Sequence, residues 1–138
     1  MAMDAMLREA QRYVGMGYVV GEFDCADLAA LVQRELFGRD VALPAGRVRP
    51  GGARGQAREV HRWRDAIARP ITTPVTGCVV LLWEPDEGGR TWHVGTVFMD
   101  GHQVWVLHNS FSQGGAALQR LQDLRLWGMK LDGYYEWL

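Results

Sequence analysis

Apolar positions recur at three-four spacing in the first part of the chain and alternate or run together in the second half. Helices are therefore expected first and strands afterwards. Met3, Met6, Leu7, Ala10, Tyr13 and Val14 predict an amphipathic helix from Asp4 to about Gly15. Leu28, Leu31, Val32 and Leu36 predict a second from about Cys25 to Phe37, with Gly38 as its C-terminal stop. Residues 39 to 56 read as loop, with Pro44 and Pro50, and a third helix is expected from about Gln56 to Ala68, ending before Pro70. From there the period changes. Cys78 to Trp83 is an almost continuous apolar run of strand length, as in a strand covered on both sides. Glu84 to Thr91 reads as a polar loop. Val94 to Met99 and Gln103 to Leu107 flank Asp100-Gly101, a hairpin signal. Asn109 to Gly115 reads as loop, Leu118 to Leu126 fits a strand or a short helix, and Met129 to Leu138 is a final strand. The class expected is α+β, N-terminal helices packed on a central antiparallel meander, in a single domain over residues 1–138.

Composition narrows the partners more than the fold. A chain of 138 residues, 48% apolar and 22% charged, is long enough to bury a core. A formal net charge of -1 argues against nucleic acid or an anionic membrane as the main partner. No apolar stretch approaches membrane-spanning length, and no basic start precedes an apolar run. Synthesis in the cytoplasm without a signal peptide is the expectation. The two cysteines, Cys25 and Cys78, are too few for a disulfide framework, although one bridge is open to them.

Candidate chemistry gathers on three side chains. Asp24 is placed to cap the second helix, with Asp27 three residues on where a capping box has its acid. Cys25 then stands at a helix N-terminus, where free N–H groups and the macrodipole favour a thiolate. A buried cysteine filling a helix–sheet contact is the competing reading. In the hairpin, Asp100 and Gly101 as turn residues set Met99 opposite His102 and His93 opposite His108, which puts both imidazoles on one face. Such a pair can be structural, can contribute to a metal site with Cys25 or Cys78, or can act as a base and its orienter. No Cys-x-x-Cys or His-Glu-x-x-His spacing supports metal, and no cofactor is expected. His61 and His102 are expected to face solvent, and Cys78 to be buried and inert. Seven arginines fall between Arg47 and Arg69 against Glu59 and Asp65, either a solvated helix face or a basic rim for a carboxylate ligand.

Tyr18, Gly21 and Phe23-Asp24-Cys25, with the apolar helix that follows, resemble the nucleophile segment of the NlpC/P60 family of cell-wall cysteine peptidases. Gly77-Cys78-Val79-Val80-Leu81-Leu82 is similar to the strand before that family's histidine, His93-Val94-Gly95 to its His-Val-Gly segment, and Gly133-Tyr134-Tyr135 to its closing strand. The chain departs from the pattern at Ala26-Asp27, where the family has Ser-Gly, and at Cys78, where it has Asp. The resemblance implies a papain-like NlpC/P60 fold. It also implies a mechanism in which Cys25 attacks an amide carbonyl, His93 protonates the leaving amine and His108 orients His93. The backbone N–H of Cys25 and Tyr18 would then serve the oxyanion, with Asp24 supporting the helix start. The implied substrate is the peptidoglycan stem peptide, cut between D-glutamate and the following diamino acid, with Arg47, Arg49 and Arg54 as candidate contacts for its carboxylates. The branch most similar is phage or prophage tail-associated, which implies tail proteins as partners and action at the cell wall or periplasm after delivery by a phage tail or a secretion system. A catalytically idle tail-assembly protein, an amidase or acyltransferase, and a secreted antibacterial effector are the competing functions.

Overall fold

A computed structural model describes residues 5–19, 22–41, 65–86, 89–110 and 112–138. Helix α1 (Ala5–Ala10) runs into a 3-10 turn over Gln11–Tyr13, and α2 (Cys25–Phe37) follows. The strands are β1 (Ala68–Ile71), β2 (Val79–Asp86), β3 (Gly89–Asp100), β4 (Gln103–Ser110), β5 (Gly115–Arg120) and β6 (Lys130–Trp137), with α3 (Leu121–Leu126) between the last two. All six strands form one sheet in the order β1-β6-β2-β3-β4-β5, and each neighbouring pair is antiparallel.

This architecture corrects the expected one. Among the described residues the body is a six-stranded antiparallel sheet with few and mostly short helices, not the papain-like NlpC/P60 arrangement of helices packed on a sheet. Nor is the sheet a plain meander, because β6 returns from the β5 edge to pair with β2 and then accepts β1 on its far side. Strand content exceeds the expectation because side chains pair across polar stretches. Trp83 stands opposite Trp92, and the Arg90 guanidinium lies 4.0 Å above the Trp83 ring. That cation–π stack continues the β2–β3 hairpin through Asp86 and Gly89, where a loop was expected. β1 was not foreseen because it contains Pro70. Proline is tolerated there because β1 is an edge strand, tied to β6 by the Arg69–Glu136 ion pair across the register. The ambiguous stretch Leu118–Leu126 is both things in turn, strand to Arg120 and helix from Leu121.

The core lies on both faces of the sheet. On one, Cys25, Ala26 and Ala29 of α2 meet Val79, Leu81, Trp92 and Val94, while Leu28 and Val32 join Leu7 and Tyr13 over Phe98 and Leu107. On the other, Leu121 and Leu124 of α3 cover Val80, Leu82, Val97 and Val106. Among the described residues no helix is long and apolar enough to cross a membrane. The helix expected over 56–68 and its arginines fall almost wholly outside the described residues.

β5 is held at its start by the chain before α2. Ala116 donates to the Met16 carbonyl (2.8 Å) and its own carbonyl accepts from Gly15 (3.0 Å). Gly115, with φ 146°, makes that approach possible, since a Cβ there would stand 2.4 Å from the Met16 oxygen. Gly114, with φ 81°, has nothing within 4 Å of its Cβ position. Gly114→Ala should therefore cost about 1–2 kcal/mol for the left-handed backbone alone. Gly115→Ala should cost about 1–3 kcal/mol more for the added contact. Urea unfolding midpoints of the two variants measure the difference, and equal midpoints would rule out the close approach.

Candidate active site

The start of α2 is built as the sequence predicts. Asp24 accepts from the amides of Ala26 (3.0 Å) and Asp27 (3.3 Å), and Asp27 accepts from the Asp24 amide (2.9 Å), a complete capping box. Gly38, at φ 65°, closes the other end. Cys25 is thereby the first residue of the helix, buried against Val94 of β3.

The hairpin carries the imidazoles. Its turn residues are Gly101 and His102, not Asp100 and Gly101, so Asp100 pairs with Gln103 and Met99 with Val104. The register is two residues away from the expected one. A slip of two leaves every side chain on the face it would have had, so His93 and His108 still meet, diagonally rather than directly opposite. His108 Nδ1 lies 3.2 Å from His93 Nε2, with the rings edge to face at a centroid distance of 5.0 Å. His108 Nε2 lies 2.7 Å from Gln119 Oε1 on β5. Gly95 leaves space for this, because a Cβ there would come within 2.6 Å of Val106 Cγ1 and 3.4 Å of His108 Cβ.

The three expected catalytic side chains do not come together as a hydrogen-bonded triad. Val94 packs on the α2 face, so His93, its neighbour in β3, points to the other, where it and His108 line a cavity of about 200 Å³ with Glu84, Ser110, Ser112 and Trp127. Cys25 makes no hydrogen bond to either ring. It does come close to the strand that carries His93. The β3–β4 register ends at Thr96↔Leu107, and the strands pair no further toward residues 93–95. Val97 donates to Cys78 of β2's entry (2.9 Å), so by alternation the Val94 amide points toward β4, where the ladder has stopped. The Cys25 sulfur takes that amide. Asn109 of β4 braces the same opening, its Nδ2 donating to the carbonyls of Phe23 (3.1 Å) and Asp24 (3.5 Å). Thiol and imidazoles thus line opposite sides of one parting in the sheet.

Electrostatics run against the expected thiolate. Burial, then the Asp24 carboxylate, pushes the Cys25 thiol up to about 12, against the favourable amides of Val94 and Ala26. The dipole is worth about half a charge, and here two carboxylates already occupy that end. Burial and the neighbouring His108 push His93 down, and burial pushes His108 down against the Gln119 hydrogen bond. Thiol and both rings are neutral near pH 7.

The remaining candidates are placed as follows. Asp24 is a cap. Tyr18 is half-buried in the segment before the Val19–Phe23 bridge. Cys78 is buried, unbridged and raised by burial, in the cluster on the opposite face from Cys25. His102 is exposed at the turn. His61, Arg47, Arg49 and Arg54 lie outside the described residues. Among the described residues no group of three His, Cys, Asp or Glu side chains could hold a metal ion. Gln119 and Asn109 were missed. Neither stands out in the sequence, because Asn109 lies between His108 and Ser110 at a polar strand end and Gln119 precedes Arg120 at another. No protein family, curated protein or solved structure matches the chain.

Two imidazoles held neutral make stability depend on pH. Their folded pKa values lie below the unfolded value of about 6.5, so the unfolded chain binds more protons as pH falls. Stability is complete above that value and is lost below it, at no more than about 1.4 kcal/mol per pH unit for each ring. Denaturation midpoints should fall between pH 7 and 5 in the wild type, and less steeply in His93→Gln. A flat wild-type profile would contradict neutral burial.

Proposed function

We propose that the chain is a cysteine peptidase acting on amide bonds of peptidoglycan stem peptides, at D-glutamate–diamino acid bonds as the NlpC/P60 resemblance implies. The observation that carries this reading is the His93–His108–Gln119 array facing a cavity, with the capped Cys25 at the adjoining parting of β3 and β4. The array has the parts of a general acid–base unit, and Cys25 brings the backbone amide of a helix start that can serve an oxyanion. A thiol that is neutral at rest attacks only as its proton leaves, so His93 acts first as base toward Cys25 and then as acid toward the leaving amine. The thiol and His93 must come into line through the opening for this to happen, and the hydrogen bonds to be given up there are those of Asn109 and the Val94 amide. Delivery by a phage tail or a secretion system belongs to the same reading.

One observation favours a second reading, a catalytically idle tail-assembly protein. The thiol is buried, raised to about 12, and bonded to neither ring.

Purified peptidoglycan incubated with the protein separates the two. Wild type should release new free amines, with Cys25→Ala inactive and His93→Ala slower by about 10²–10⁴-fold. Analysis of the new termini distinguishes a stem-peptide cut from amidase or acyl-transfer chemistry. Release by Cys25→Ala at the wild-type rate would exclude the thiol mechanism. No release by any form would favour the idle protein.

A further inference from the structure

The direction in which protons sit along the imidazole array follows from its far end. Gln119 Oε1 carries only lone pairs, so at 2.7 Å the group that donates is Nε2–H of His108. His108 is buried, 2% exposed, and neutral, so with a proton on Nε2 its Nδ1 is bare. The nearest partner of that bare nitrogen is His93 Nε2 at 3.2 Å, which must then be the donor. His93 is neutral as well, so the proton on Nε2 leaves Nδ1 with its lone pair. We infer that Gln119 is a positioning residue which, through His108, sets both histidines in the Nε2–H tautomer and so makes His93 Nδ1 the basic atom of the site.

The alternative arrangement is chemically opposite. With the Gln119 amide turned over, its Nε2 would donate to His108, every proton in the array would shift to Nδ1, and His93 would offer a donor where it now has a base. One amide on β5 thus decides whether the array accepts or gives a proton at His93. Gln119 stands opposite Val106 in the β4–β5 register, so its side chain shares the face of His108 and reaches it diagonally. When His93 Nδ1 takes up a proton, the charge is stabilised through the Nε2–H bond to His108, whose own Nε2–H leans on Gln119. That consequence rests on the hydrolase reading. The tautomers do not.

The test is long-range nitrogen–proton correlation of the imidazoles in the uniformly ¹⁵N-labelled full chain near pH 7.5, which distinguishes a protonated from a bare ring nitrogen without any turnover. The wild type should show His93 and His108 each protonated on Nε2 and bare on Nδ1. Gln119→Leu, which keeps the volume and removes the acceptor, should shift both rings toward a mixture of tautomers. A wild-type His108 protonated on Nδ1 would overturn the assignment, and so would unchanged tautomers in Gln119→Leu. The wild-type spectrum alone decides the first point if the variant fails to fold. Tautomers as stated in a protein that releases no amines would leave this assignment standing and remove the peptidase.

Discussion

The β3–β4 ladder stops at Thr96 and Leu107, and the candidate site exists because it stops there. In a continued ladder the Val94 amide would be given to a β4 carbonyl, and the start of α2 would have no place to insert. Backbone donors in a protein interior are rarely left unpaired, so the amide freed by the parting must find another acceptor. The Cys25 sulfur is that acceptor, and Asn109 returns the favour by donating to the carbonyls of Phe23 and Asp24. The Asn109 contacts tie residues far apart in the chain, 86 positions from Phe23 and 85 from Asp24. The helix start, the two strands and the cavity on the far side are therefore one construction.

Within it, desolvation outweighs the helix dipole. A thiol at a helix N-terminus is usually read as acidic, and the same capped geometry is present here. Cys25 nevertheless moves the other way, because it is 3% exposed and the cap itself is a carboxylate. The rings follow the same logic with the opposite sign, since burial disfavours an imidazolium as it disfavours a thiolate. Neutral partners on both sides of the parting need no ion pair to hold them, which is compatible with a barrier of backbone between them.

Much of this is legible in the sequence, where the signal is local. Asp24, Asp27, Phe37 and Gly38 define α2 to the residue, because capping and the αL stop are read from adjacent positions. The meeting of His93 and His108 was legible from strand parity, which survives an error of two in the register. What was not legible depends on partners far along the chain. β1 and the return of β6 to β2 rest on pairings such as Arg69 with Glu136, which no local pattern announces. The side of the sheet on which α2 settles is also non-local. Cys25 could be placed at the start of a helix, but not on the face of Val94 rather than that of His93.

That last distinction decides how far the resemblance to cell-wall peptidases can carry. In an antiparallel strand, neighbouring residues cannot exchange faces without a one-residue slip, and such a slip in β3 would bring Gly95 and Val97 under α2 and turn Val94 and Phe98 out of their clusters. Three core side chains, Val94, Val97 and Phe98, would change face to bring one imidazole across, which makes a slip the wrong way to align thiol and base. The parting offers a different route, since the sulfur already lies against the Val94 amide where β3 and β4 no longer pair. A ligand that enters the parting and competes for the Phe23 and Asp24 carbonyls, or for Asn109, would loosen the start of α2 while leaving the β3 register intact. Alignment of the thiol with His93 is then a movement of a helix terminus, the part of a helix with the fewest hydrogen bonds to lose.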